Sequence, residues 1–120
     1  MKVVHPNDVP EEKVPNDPLF TGLISKHTPI TDKDSQFTVS FIHFPAGVRN
    51  KFHTHTSDQI LIVTEGKGTI ATDQEEQEIS VGDFVYIPKG EKHHHGASAE
   101  SRMTHISITS SDMKIEQLEQ

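Results

Sequence analysis

The residues best able to do chemistry in this chain are histidines. In "KFHTHTSDQILIV", His53 and His55 stand one residue apart, Gln59 follows, and then comes a strongly apolar run. Imidazoles at i and i+2 of an extended chain point to the same side, because strand side chains alternate faces. A shared metal ion is one use for such a pair. Two solvent-facing histidines beside a core strand is the other, and the pair alone does not separate them. A second group, His93 and His95 around His94, lies some forty residues further on, in "VGDFVYIPKGEKHHHG". There a strand "DFVYI" runs into a Pro-Lys-Gly turn and returns at His93, so a hairpin can carry an imidazole back toward the first group. Three neutral imidazoles and an amide oxygen form a nitrogen-and-oxygen set suited to a divalent transition ion. His95, two positions after His93, faces the same way on an extended strand, and His105 in "MTHISIT" can face the same cavity. Either could act as general acid or base, since an unperturbed imidazole titrates near ~6.5 and a nearby dication depresses that further. The alternative for each is a structural histidine hydrogen-bonded to a ligand or to backbone. His5, His27 and His43 are expected on outward faces.

Such groups need a scaffold of strands. Short alternating or apolar runs, "TGLIS", "QFTVSFIHF", "QILIVTE", "GTIAT", "QEISV", "DFVYIP" and "MTHISIT", are separated by turn signals at "PAG", "EGKG", "VGD" and "PKGEK". Many short strands at close spacing predict an all-β sandwich or barrel, of which the double-sheet jelly roll is one form. Residues 1–18 hold four prolines among acidic and polar residues and read as an arm that disfavours helix and cannot be a central strand. Residues 19–110 then form the barrel. The tail 111–120, "SDMKIEQLEQ" after Ser111 or Asp112 as a cap, reads as a short C-terminal helix.

Composition narrows the function classes. A chain of 120 residues fits one domain, and 32% hydrophobic content implies a small core that leans on a ligand, a metal or a partner chain. The formal charge of −7 without a Lys/Arg cluster argues against nucleic acid and anionic membranes as partners and for a small or polar molecule. The absence of cysteine removes disulfides, thiol nucleophiles and thiolate-bound zinc. No apolar stretch reaches the ~18 residues of a membrane span, and "MKVVHPNDVP" lacks the apolar run of a signal peptide. The expectation is a soluble, cytoplasmic protein.

Two motifs carry a family resemblance. Gly47, five residues, His53-Thr54-His55, three residues, Gln59, six residues, Gly66 resembles the first cupin motif, and Gly82, five residues, Pro88-Lys89-Gly90, two residues, His93 resembles the second. Order, spacing and separation all match. The first motif's usual glutamate is Gln59 here, and the asparagine that often closes the second is absent. The resemblance implies a cupin double-stranded β-helix, a jelly-roll barrel, with one divalent metal held by His53, His55, Gln59 and His93. Mn²⁺ or Fe²⁺ is favoured, with Ni²⁺ or Zn²⁺ as the other options. Within the superfamily, "LFTG", "FPAG", "HTH...Q.LIVT.G.G", "GEKH.HGA" and "MTH" resemble small manganese cupins that act as hydroxynitrile lyases, whose metal set is likewise three histidines and a glutamine. Alternation in "QFTVSFIHFPAG" sets Thr38, Ser40, Ile42 and Phe44 on one face and Val39, Phe41 and His43 on the other. The lyase likeness puts the first set inside, with Ser40 and Ile42 lining a substrate pocket and Thr38 deeper or at its rim; ordinary packing is the competing role, above all for Ile42 and Phe44.

The function these implications favour is a metal-dependent lyase on a small oxygenated molecule, with His105 or His95 moving a proton. A cupin dioxygenase, a sugar-derivative isomerase or ring-opening enzyme, and a binding module without turnover are the alternatives. A homodimer is expected, because a small barrel with few apolar residues gains by covering its sheet edges, here with the arm and "TGLIS" on a neighbouring subunit.

Overall fold

A computed structural model describes residues 1–120. After a short 3₁₀ turn at Pro6–Asp8, ten strands follow: β1 (Glu12–Val14), β2 (Ile24–Ile30), β3 (Phe37–Phe44), β4 (His53–His55), β5 (Gln59–Ala71), β6 (Glu76–Ser80), β7 (Phe84–Ile87), β8 (His94–Ala97), β9 (Met103–Ser110) and β10 (Ile115–Gln117). The main path runs β1-β2-β3-β9-β5-β6, every pairing is antiparallel, and β7 and β8 also pair with β5. The fold is thus the expected all-β jelly roll, built on a curled antiparallel sheet. No helix is long and apolar enough to cross a membrane.

Strand β5 makes the corner. Its first half, Gln59–Ile62, pairs with β7, while Gly68–Ala71 pairs with β8 and also with β6. Between the halves the register with β9 shifts at Val63/Glu65, and Gly66 takes a φ of +67° with the Arg102 carbonyl where a Cβ would lie. Only glycine accepts both the left-handed backbone and that close approach, and a bulge of this kind lets one strand serve two sheets.

The interior is divided. Ile24, Phe44, Val63, Ile79, Ala97 and Met103 form an apolar cluster, with Ile42 packed against it. Ten of the buried residues are polar, as many as are apolar, and five of those are histidines: His53, His55, His93, His95 and His105. A core that spends half its interior on polar groups needs a reason to keep them there, since burial of an unpartnered polar group is costly.

Two expectations about the termini change. The tail is not a helix: Ile115–Gln117 is strand β10, paired antiparallel to β4 with Ile115 opposite His55 and Gln117 opposite His53. Its apolar residues were too unevenly spaced to bury a helical face, whereas β4 offers an unpaired edge. Arg49 Nη2 reaches Glu119 Oε2 at 2.8 Å, and the same carboxylate accepts the Phe52 N–H, which fastens the tail over the histidine strand. The arm contributes edge strand β1, which covers β2 within the same chain, and Ile24 of "TGLIS" is buried in its own core. Both segments therefore make contacts within their own chain, and β1 ends the sheet path with one open edge.

Candidate metal centre

Two reciprocal backbone hydrogen bonds join the histidine groups. His53 N–H donates to the His93 carbonyl at 3.0 Å, and His93 N–H donates to the His53 carbonyl at 3.1 Å. The turn at Pro88–Glu91 thus returns the chain beside β4, as the Pro-Lys-Gly signal predicted. The side chains of His53, His55 and His93 are buried, and their donor atoms lie within 4.8 Å of one another. His94, between the two inward residues, packs edge-on against Phe52 with ring centroids 4.6 Å apart.

Hydrogen bonds prepare these rings for an ion. His53 Nδ1 donates to the Lys51 carbonyl at 2.6 Å and His93 Nδ1 to the Glu91 carbonyl at 2.8 Å. Each bond pins the proton on Nδ1 and leaves Nε2 bare, the arrangement that orients metal-binding histidines. Gln59 is buried too: its Nε2 donates to Ser107 Oγ at 2.9 Å, which turns Oε1 the other way, and Oε1 has no partner. His55 Nδ1 and His93 Nε2 are likewise buried without a partner. Orphaned acceptors on this set fit a divalent ion that accepts nitrogen and oxygen donors, and the residues therefore suit the group the spacing implies. Burial lowers the pKa of His53 to about 4 and of His55 to about 3, and it lowers that of His93, so the three rings are neutral and available at pH 7.

Beyond them sits a second layer. His105 Nε2 meets His95 Nδ1 at 3.1 Å, and His95 Nε2 meets Asn50 Nδ2 at 3.1 Å. Both nitrogens of His95 are thus occupied, whereas His105 keeps Nδ1 unpartnered. Burial holds His95 well below the ordinary imidazole range and His105 at about 4.

Register sets which other side chains share the face of His105. Ile42 is opposite His105, Ser40 opposite Ser107 and Thr38 opposite Thr109, so all three face the side that His105 faces. Ser40 is buried and bonded to Thr28 Oγ1 at 3.0 Å, Ile42 is half-buried on the apolar cluster, and Thr38 is exposed. Thr38 is therefore at the surface and not deep in the interior. A surface hollow of about 690 Å³, lined by Phe37, Asp58, Ile60, Tyr86 and Ile108 among others, includes none of the interior histidines. Two contributors escaped the sequence reading. Ser107, two residues after His105, was signalled by the same alternation that turns His105 inward. Asn50 had no such signal, because it lies in an irregular segment before β4.

Residues 40–109 match the cupin domain model, more than half of the chain. The chain belongs to the cupin family. This cupin is 43% identical over 68 residues to an (R)-mandelonitrile lyase of Granulicella tundricola, an alignment covering 56% of this chain and 52% of that protein. It is 38% identical over 50 residues to an uncharacterised protein of Methanocaldococcus jannaschii, covering 41% of this chain and 40% of the relative. The cupin thus spans about half the length, or less, of the curated relatives it matches. Among solved structures, a cupin-like protein of Thermotoga maritima superposes with a TM-score of 0.78 at 32% identity, covering 83% of this chain and 79% of the other. A polyketide cyclase of Streptomyces resistomycificus superposes with a TM-score of 0.86 over 98% of this chain and 85% of the other, at 20% identity, a likeness of fold alone.

Proposed function

We propose that this cupin is a metal-dependent lyase that cleaves a small oxygenated molecule of the cyanohydrin type. The observation that carries the reading is a neutral donor set, three imidazoles and an amide, with a further buried imidazole, His105, that reaches the set through His95 and whose Nδ1 has no partner in the chain. The identity with an (R)-mandelonitrile lyase supports it. A divalent ion held by His53, His55, His93 and Gln59, Mn²⁺ or Fe²⁺ by the chemistry of the set, supplies Lewis acidity toward a substrate oxygen. Everything else falls to the chain. In its resting form His105 would give the Nδ1 proton to the departing cyanide as the carbon–carbon bond breaks, and the emptied Nδ1 would take up the proton of the substrate hydroxyl, leaving aldehyde and hydrogen cyanide; burial keeps the ring neutral at pH 7 between turnovers. His95 has no nitrogen left for a substrate and orients His105. Ser40 and Ile42 shape the cavity wall, and Thr38 borders its entrance.

The test is direct. Protein stripped of metal and reloaded separately with Mn²⁺ and Fe²⁺ is given racemic mandelonitrile, and benzaldehyde is followed by absorbance while dissolved oxygen is recorded. Release of benzaldehyde without oxygen uptake is expected. Oxygen consumption in step with substrate loss, or no cleavage with either ion, overturns the lyase reading.

The same reading includes a homodimer. Its support is the outer face of the sheet, where Phe37, Phe84 and Tyr86 are 59%, 73% and 63% exposed beside Ile60. Exposed apolar groups gathered in this way mark contact surfaces. Light scattering at micromolar concentration should give twice the chain mass of 13.4 kDa, and a monomer there would refute it.

A further inference from the structure

We propose that Asn50 is a positioning residue that dictates which nitrogen of His95, and through it of His105, carries the proton. The deduction starts from a donor whose identity is fixed. The backbone N–H of His95 donates to Asn50 Oδ1 at 2.8 Å, so that amide oxygen can be nothing but the acceptor. Asn50 Nδ2, which can only donate, is therefore the atom facing His95 Nε2 at 3.1 Å. His95 Nε2 must be bare. In a neutral ring the proton then sits on Nδ1, which donates to His105 Nε2 at 3.1 Å. His105 Nε2 must also be bare, and its proton sits on Nδ1, the buried nitrogen that has no partner in the protein.

The local fold holds the first link rigid. Asn50 N–H donates to the His95 carbonyl at 2.9 Å, so backbone and side chain of Asn50 both grip one residue. Close approach of the two segments depends on Gly96, where an added Cβ would lie 2.3 Å from Arg49 Cα. Asn50 and His95 are 4% and 3% exposed, and the polar atoms of this contact already have their partners within the chain. Sequence and packing thus set a one-way chain of donors, Asn50 to His95 to His105, that ends in an N–H awaiting an acceptor.

The consequence concerns what His105 offers. In the resting protein it presents a hydrogen-bond donor at Nδ1, and a ligand entering the cavity meets it with an electron-rich atom, such as an oxygen or a nitrile nitrogen. Only this consequence for turnover rests on the lyase reading; the placement of protons does not.

Histidine ring nitrogens can be observed one by one. The full-length protein, loaded with diamagnetic Zn²⁺ and labelled with ¹⁵N in its histidines, is studied at pH 7.5 by long-range ¹H–¹⁵N correlation. For the wild type we expect His95 and His105 each to show a proton-bearing Nδ1 and a bare Nε2. In Asn50→Asp one carboxylate oxygen still accepts the His95 N–H, while the other can only accept from Nε2, so His95 Nε2 becomes proton-bearing. Asn50→Ala removes the dictating group, and the two tautomers of His95 should average. A wild-type His95 with its proton on Nε2 overturns the proposal. So does an Ala variant that keeps the wild-type pattern unmixed, which decides the matter should the Asp variant fail to fold. In parallel, the variants' pH–rate profiles with mandelonitrile should shift, a change that loss of packing alone does not produce. If no variant and no wild type cleaves mandelonitrile, the lyase reading fails while the nitrogen signals still judge Asn50.

Discussion

Two histidine assemblies lie on opposite faces of one sheet. His105 and its neighbours face inward, while His43, opposite Thr104 on β9, faces outward beside His27 of β2. In the outer pair the nitrogens satisfy one another: His27 Nδ1 meets His43 Nε2 at 2.9 Å, and His43 Nδ1 meets Thr104 Oγ1 at 2.8 Å. The rings also stack, His27 on Phe41 with centroids 4.4 Å apart. Inside, His53 and His93 are pinned by backbone carbonyls on one nitrogen, and the buried atoms His55 Nδ1, His93 Nε2 and Gln59 Oε1 have nothing to bind. Histidine density is therefore a poor guide to a metal site. What separates the two faces is unspent coordinating capacity, which burial makes expensive to leave unused.

That difference is broken most plainly by deletion. His53→Ala, His55→Ala or His93→Ala should each lose most of the bound divalent ion, because one of four donors disappears from a site whose binding energy is shared with folding. His43→Ala should keep its full complement of metal, since His43 stands outside the buried three-histidine cluster and both of its ring nitrogens are engaged, by His27 and by Thr104. Elemental analysis after gel filtration reads both arms. Full occupancy in the three interior variants, or equal loss in His43→Ala, would erase the distinction.

A second test removes the ion instead of the ligand. In metal-free protein, burial keeps His53 and His105 near 4 and His55 near 3, against 6.5 for a free imidazole. Between pH 6.5 and about 4 the unfolded chain takes up protons that the folded chain refuses. Stability is therefore greatest above pH 6.5 and falls as the pH drops through that window, by about 1.4 kcal/mol per pH unit for each such ring. Below about pH 3 these groups add no further loss. Urea midpoints measured in chelator from pH 7.5 to 4 should decline accordingly, and His55→Gln should decline less steeply. A flat midpoint over that range would mean that the interior rings accept protons in place, against the burial that defines them.

These same residues show how far sequence carries. Period-two alternation set by backbone geometry made the strands legible and grouped His53 with His55 and Ser40 with Ile42 on shared faces, while which face was inward came from the resemblance to the family's motifs. The hairpin through Pro88-Lys89-Gly90 was legible from turn chemistry, and so was the meeting of His93 with His53. Strand β10 was not, because a three-residue strand is decided by the partner edge on β4 and not by its own pattern. The roles of His95 and Asn50 were hidden for a related reason. Spacing says that His95 faces inward, but only coordinates show both of its nitrogens engaged, by a residue forty-five positions earlier in the chain and another ten positions later.

The smallest expected effect tests why the interior set ends in an amide. With Gln59, an ion held by the set keeps its full formal charge, since all four donors are neutral. Gln59→Glu adds a carboxylate, the stronger ligand for a hard cation, so metal retention should equal or exceed that of the wild type. The fold should tolerate the change: Ser107 Oγ, which accepts from Gln59 Nε2 at 2.9 Å, can rotate its own hydrogen to donate to the new carboxylate. Charge neutralisation, however, weakens the pull on a substrate oxygen, and electrostatic stabilisation of this kind is often the largest single contribution to catalysis. Cleavage of mandelonitrile should therefore slow by roughly ten- to a hundredfold while metal content stays constant. His43→Ala, carrying no such charge toward the cavity, should leave the rate near that of the wild type. If Gln59→Glu changes neither the rate nor its pH profile at equal metal content, Gln59 does not address the ion, and its orphaned oxygen belongs to packing alone.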